Sequence, residues 1–295
     1  MTMRRALKRS NIMIFASEVP VISALNPYRT IEDVFLNVWR RTNPRQVSAL
    51  QEDLAMSVLP SQEEKLRTIV QDLGVAPAIE KLLQKASKAN TIQQVAQAQA
   101  QLVQSLPTTT PLDVKSDVVQ FVTSSMHKEF GVKHESAGIQ AYEKKERVVV
   151  SDRNVKFARR KVATHGTFTV SVGGKIDGRA DGKVIEVKNR LRKFFSPLPK
   201  YDVAQLQTYL FILGAQEGEI VEHLHTVTTQ TKMTPVPWDG KMWRADIAPY
   251  LVKFGSALTY LMQDTVVQKD YLQSDSAQQR EIIKYLWSRE VQTMP

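Results

Sequence analysis

Apolar and polar positions alternate in three different ways along the 295 residues. In the first stretch, Val34, Phe35, Val38 and Trp39 recur at helical spacing, so a helix is predicted from about Thr30, after a turn at Asn26-Pro27. Residues 46–105 read as several short helices. One is SQEEKLRTIVQDLG, with Ser61 as N-cap, Glu64 three residues on and Gly74 past its end. TIQQVAQAQAQLVQSL is rich in Ala and Gln, and Pro107 to Pro111 read as a linker. From Ser116 a long helical stretch, DVVQFVTSSMHKEFGVKHESAGIQAYEKK, leads into strand signals. These are RVVVS, GTFTVSVGG, KIDGRA and KVIEVKN, with Asp181-Gly182 as a hairpin turn. KYDVAQLQTYLFILG is a helix ended by Gly214, EIVEHLHTVTT a further strand, and two helices close the chain around 246–264 and 276–291.

This order predicts an α/β (α+β) layer fold. The expected organisation is an N-terminal helical part over 1–45, a helical insertion over 46–115, and a core domain over 116–295. The insertion offers no chemistry of its own.

Composition narrows the chemistry. There is no cysteine, which excludes disulfide frameworks, thiolate zinc sites and cysteine nucleophiles and agrees with a reducing interior. No run approaches a membrane span, and Glu18 interrupts the apolar stretch that follows the basic N-terminus, so a soluble, intracellular protein without membrane contact is expected. The net charge of +10 is concentrated: residues 126–200 carry 18 Lys+Arg against 8 Asp+Glu. A basic excess confined to one quarter of a chain suits an anionic partner, most often nucleic acid, with a solvated surface as the less favoured alternative.

Candidate chemistry lies in GGKIDGRADGKVIEVKNRLRKFF, residues 173–195. Glu186 and Lys188, two apart on a strand, project from one face. The Asp181-Gly182 turn brings Asp177 alongside. Two carboxylates beside an ammonium suit a hard divalent cation and a water nucleophile. The pattern acid-x-Lys occurs six times, but only the copy at Glu186 sits in a β-branched apolar run behind an acidic strand. The alternative is a salt-bridged hairpin surface, which buried carboxylates amid VIEV make costly.

These residues resemble the PD-(D/E)xK nuclease superfamily, specifically its lambda-exonuclease/YqaJ-like branch. GVKHESAGIQAYE resembles that branch's upstream helix and maps Gly131, Glu135, Tyr142 and Glu143 onto it. AQLQTYLFI resembles the helix whose glutamine faces the site, which points to Gln205, with Gln207 second. FASEVPVISALNPYR resembles the opening whose serine, here Ser17, binds a terminal phosphate; Arg9 stands roughly where a phosphate-binding arginine is carried. Ile176 replaces the proline that often precedes the first aspartate.

The resemblance implies a restriction-endonuclease-like core, a central mixed sheet flanked by helices. It implies Mg²⁺, with Mn²⁺ as substitute, held by Asp177, Glu186, Glu135 and the Val187 carbonyl, while Lys188 and Gln205 position the water. Arg190, Arg192 and Lys193, just after the catalytic strand, would grip backbone phosphates, or simply form a solvated loop. The implied activity is exonucleolytic digestion of duplex DNA ends, 5′ to 3′, in recombination, repair or viral DNA processing inside a host cell. The implied partners are DNA, a single-strand annealing protein and further copies of the chain. A single-strand or structure-specific endonuclease and a catalytically silent DNA-binding module remain alternatives. The five histidines place no metal set: His223-x-His225 lacks a third ligand.

Overall fold

The computed structural model describes residues 10–54, 62–89, 91–190, 192–224 and 230–289. Ser61, the side chain of Glu64, Arg9 and His225 lie outside what is described.

Strands β1 (Ser10–Phe15), β2 (Ala158–His165) and β3 (Phe168–Gly174) form one sheet in the order β1-β3-β2, with β1 parallel and β2 antiparallel to β3. Strands β4 (Gly178–Ala180), β5 (Lys183–Arg190), β6 (Glu217–Leu224) and β7 (Gln230–Pro237) form a second, β4-β5-β6-β7, in which β5 and β6 run parallel. The fold is mixed α/β as expected, but the single central sheet is corrected to two. The ladder breaks between β3 and β4 because its hydrogen bonds go elsewhere. Extended backwards, β4 would pair Ile176 with Val187. Instead the Ile176 carbonyl accepts from Asn154 N–H, at 3.0 Å, and Val187 N–H donates to the Asp177 carboxylate, at 2.8 Å.

The Asp181-Gly182 turn has φ of +48° and +80°, the backbone of a type I′ hairpin. RVVVS is not a strand. Its contribution is one bridge, Ser151 to Arg179, because Arg147 in the left-handed region ends the preceding helix and swings the chain away.

Around the first sheet, α1 (Val19–Ile22), α2 (Ile31–Thr42) and α3 (Pro44–Asp53) send Val34, Phe35, Val38, Trp39, Val47 and Leu50 into the largest apolar cluster. A second cluster is separate. Helices α4 (Gln62–Asp72), α5 (Ala76–Lys88) and α6 (Ile92–Ser105), the last opened by a Thr91–Gln94 capping box, close it against the first half of α7 (Leu112–Glu146), through Val118, Val122, Met126 and Phe130. The same 35-residue helix then continues onto the second sheet.

There α7 covers one face of β5 and α8 (Lys200–Leu213) the other. Ile185 and Val187 pack with Ile139 and Tyr142 of α7, whereas Val184 shares a cluster with Ala204, Leu206 and Leu210 of α8. A parallel strand buried on both faces reads as an almost continuous apolar run, as VIEV does. Gly138 permits the close approach of α7: a Cβ there would meet Val187 Cγ1 at 2.7 Å. Gly138→Ala is therefore expected to lower stability in denaturant titration by about 1–3 kcal/mol through overpacking.

The chain closes with α9 (Gly240–Met242), a π-helical turn at Trp243–Ile247, α10 (Ala248–Gln263), α11 (Thr265–Gln273) and α12 (Ser276–Ser288). The two expected closing helices are α10 and α12. Between them α11 is additional, started by Asp264 accepting from Val266 and Val267 N–H. Among the described residues no helix is long and apolar enough to cross a membrane.

Candidate active site

Period-two geometry puts Val184, Glu186, Lys188 and Arg190 on the α8 face of β5. Glu186 is 2% exposed. Its Oε1 accepts from the Lys188 ammonium at 2.8 Å, while its Oε2 is buried with no hydrogen-bond partner among the described residues. Lys188 is anchored on three sides. Besides Glu186 it donates to Gln205 Oε1 at 2.9 Å and lies 3.5 Å from Asp202. Gln205 and Asp202 stand three residues apart on α8, so they share its face toward β5. Gln207, the second choice from sequence, is buried elsewhere, bridging the Pro237 carbonyl and Asp239 N–H at 2.7 and 2.8 Å.

Asp177 enters from the turn before β4. Its Oδ2 accepts from Val187 N–H at 2.8 Å. The N–H and C=O of one strand residue point to the same side, so the Val187 carbonyl faces the edge where Asp177 stands. Glu135 comes from α7, held by the Asn154 side-chain amide. The structure thus draws Asp177, Glu186, Glu135, Lys188 and Gln205 together from four places in the chain: α7, the bend before β4, β5 and α8.

Charge in this pocket is unevenly compensated. Burial, then the neighbouring Glu186, pushes the Asp177 carboxyl well above the usual carboxylate range, against the bond from Val187. Burial also raises Glu135; Asn154 opposes this, and Glu186 adds to it. For Lys188 burial disfavours the ammonium, but Glu186 and Asp202 more than offset it, and the group stays charged with a raised pKa. Tyr209, bonded to Gln205, is raised by burial and by Glu186. Carboxylates outnumber the one lysine among them, and among the described residues one buried oxygen, Glu186 Oε2, has no donor.

Among the described residues no three His, Cys, Asp or Glu side chains already close a cation cage. Magnesium does not need one. It takes one or two carboxylates and keeps several waters. The unpartnered Glu186 Oε2, the crowded Asp177 and an all-oxygen donor set fit such an ion.

Other sequence candidates fall differently. Arg190 is 9% exposed, not a loop residue on the surface. Its Nε donates to Glu222 and its Nη2 to Asp202, both at 2.8 Å, and its guanidinium lies 4.6 Å from the centre of the Phe195 ring. The phosphate-gripping role expected of it is corrected: two buried carboxylates occupy the fork. Arg190→Ala is expected to destabilise by about 3–5 kcal/mol in thermal or denaturant unfolding, because it strands those carboxylates. Arg192 and Lys193 are exposed in the loop after β5 and free of that constraint. Ser17 is exposed on the turn after β1. Its neighbour Ala16 donates to the Gly173 carbonyl at 2.9 Å, which puts the turn at the same end of β3 as Asp177. Tyr142 donates to Glu219 at 2.8 Å, and Glu143 accepts from Val150 N–H at 2.8 Å and from Arg153. Both brace α7. His223 contacts Thr231 Oγ1 at 3.0 Å, its pKa lowered by burial.

No family model matches the chain, and no curated protein matches it. Among solved structures it is similar to an alkaline exonuclease, LHK-Exo, from Laribacter hongkongensis. The identity is 16% and the TM-score 0.37, over 62% of this chain and 90% of that one. The same exonuclease in complex with dAMP gives 16% and 0.35, over 60% and 90%. SSO0001 gives 17% and 0.33, over 51% and 69%. Likenesses of this size assign neither family nor activity, so function must be read from the site's own residues.

Three site residues escaped sequence reasoning. Asp202 lay one helical turn before Gln205, a spacing that could have marked it. Tyr209, one turn after Gln205 on the same helix, could have been marked by the same spacing; Asn154 carried no local signal, and only the folded loop brings it to Glu135.

Proposed function

We propose that this chain is a divalent-cation-dependent nuclease that hydrolyses phosphodiester bonds of DNA, working from duplex ends in the 5′ to 3′ direction. The observation that carries the reading is the buried, unpartnered Glu186 Oε2, set beside a charged Lys188 and a crowded Asp177. A structural hairpin would have no use for that arrangement.

Asp177, Glu186, Glu135 and the Val187 carbonyl would hold Mg²⁺, with Mn²⁺ able to replace it. The cation, when bound, neutralises phosphate charge and eases deprotonation of water. Lys188 supplies a fixed positive charge for the negative charge that grows on the phosphate oxygens in the transition state. Its contacts with Glu186, Gln205 and Asp202 fix its position before substrate arrives. Gln205, bonded to Lys188 on one side and Tyr209 on the other, orients the attacking water through its amide. Burial of Glu186 excludes bulk water from the carboxylate pair. Ser17, exposed at the same end of β3, would receive a terminal phosphate, with Arg192 and Lys193 contacting the backbone beyond. The preference for ends and the 5′ polarity rest on the sequence resemblance and on the place of Ser17.

The test uses linear duplex DNA labelled at the 5′ or the 3′ end, with a 5′ phosphate or hydroxyl, beside closed circular DNA, each with Mg²⁺. Release of 5′ nucleotides, faster with the phosphate, and an intact circle are expected. Cutting of the circle would replace the exonuclease with an endonuclease. No cleavage of any substrate would reduce the protein to a binding module.

A further inference from the structure

The outer face of the β1-β3-β2 sheet is built unlike its inner face. Inward, Ile12, Ile14, Phe168, Val170 and Val172 are buried in the main cluster. Outward, the cross-strand register aligns Met13 with Ser171 and Lys161, and Phe15 with Gly173 and Arg159. Partners in register project to the same side, so these residues share one surface. Asn11, Met13, Arg159, Lys161 and Ser171 are among the residues that line a groove of about 470 Å³ on it.

The basic run Arg159-Arg160-Lys161 is divided by the pleat. Arg160 turns inward, where it donates to the Phe211 carbonyl at 2.7 Å and lies over the Phe211 ring. Arg159 and Lys161 turn outward and are exposed, and neither has a carboxylate partner among the described residues. Two residues apart on a strand, they stand about 6.8 Å from each other, comparable to successive phosphates of an extended polynucleotide. Ser171, level with Lys161, and Asn11, one step beyond it, add hydrogen-bonding groups to the groove.

One end of this groove leads to the candidate active site. Arg159 pairs with Gly173, and the chain leaves β3 at Gly174 and reaches Asp177 three residues on. At that end Phe157 is 43% exposed, edge-on to Phe15 with ring centres 6.0 Å apart. Gly173 makes room for it, since a Cβ there would meet the Phe157 ring at 2.6 Å. An exposed ring beside a cationic groove is the arrangement that takes unstacked bases and their phosphates.

We infer that the outer face of the β1-β3-β2 sheet is a binding track for single-stranded nucleic acid, with Arg159 and Lys161 on successive phosphates and Phe157 against a base. The inference rests on the nuclease reading for its continuity with Asp177. It extends that reading by giving one strand a route away from the cleavage centre.

The test is the binding of a fluorescent oligothymidylate in EDTA, across a salt series, by the wild type and by the double variant R159A/K161A. Losing two phosphate contacts on a single strand should make the log–log salt slope shallower by about 1.4 and weaken binding about 25-fold near 0.1 M salt. Both side chains are exposed, so folding should not change. R159K/K161R should keep the slope. Hydrolysis of a thymidine nitrophenyl phosphodiester, too small to reach the track, should be the same in all three proteins. Equal affinity and equal slope in wild type and R159A/K161A would overturn the track. A wild type that hydrolyses neither DNA nor the small ester with Mg²⁺ would instead overturn the nuclease reading, leaving the binding result to judge the track alone.

Discussion

Asp177→Asn is expected to melt at a higher temperature than the wild-type protein while losing cation-dependent cleavage of DNA. Burial and Glu186 hold the Asp177 pKa above its ordinary 3.8 in the folded chain. The folded state therefore binds this proton more tightly than the unfolded state does. The group's favourable contribution is fully present below about pH 4 and is lost as pH rises through the folded value. Glu135, raised above 4.5 mainly by burial, acts in the same direction. At neutral pH without cations both carboxylates strain the fold. An asparagine at 177 removes one charge and keeps an oxygen for Val187 N–H. In a chain of this size each kcal/mol relieved is worth about 2–4 °C. Melting scans in EDTA between pH 4 and 8 should show the variant's advantage growing with pH. Mg²⁺ should narrow the gap by stabilising only the wild type, by about 2.7 kcal/mol at a hundredfold excess over its dissociation constant. A variant less stable than wild type at pH 8 in EDTA would show that the carboxylates are not in conflict.

Lys188→Ala is expected to do the opposite to stability. Its removal leaves Glu186, buried at 2% exposure, without the one donor it has among the described residues, while Asp202 keeps Arg190. Stranding one partner of a buried pair costs about 3–5 kcal/mol. Cleavage should fall on the order of 10²–10³-fold, the usual loss when a fixed group facing transition-state charge is removed. Lys188→Arg should restore stability better than turnover, because a planar fork cannot replace a point charge set between Glu186 and Gln205. Denaturant titration and nucleotide release, measured on the same preparations, separate the two effects.

What sequence could show follows from where each signal is local. Glu186 and Lys188 share a face by period two alone, and Asp181-Gly182 writes its own turn, so the hairpin that carries them was legible. Gln205 was legible through its motif. Asp202 was missed because an acidic residue in a helix's first turn is ordinary for dipole reasons and draws no notice. Arg190 was misread because position after a strand suggests a loop; only the arrival of Glu222 from β6 shows that its guanidinium is enclosed. Strand β2 was hidden by its basic run, in which exposed Arg159 and Lys161 mask the alternation. Strand β7 carries Pro235 and Pro237, which argue against a strand until its place at the sheet edge is known. The break between β3 and β4 depends on Asn154, supplied by a loop that has no pattern.

The central claim is that Asp177, Glu186, Lys188 and Gln205 form a cation-dependent phosphodiesterase centre. The most direct measurement is nucleotide release from 5′-phosphorylated linear duplex DNA, first in EDTA and then along a Mg²⁺ titration, for wild type and Glu186→Gln. The account predicts no release in EDTA, saturable release by wild type with Mg²⁺, and a variant slower by about 10²–10³-fold although it folds. Undiminished cleavage by Glu186→Gln, or cleavage by wild type in EDTA, would contradict it.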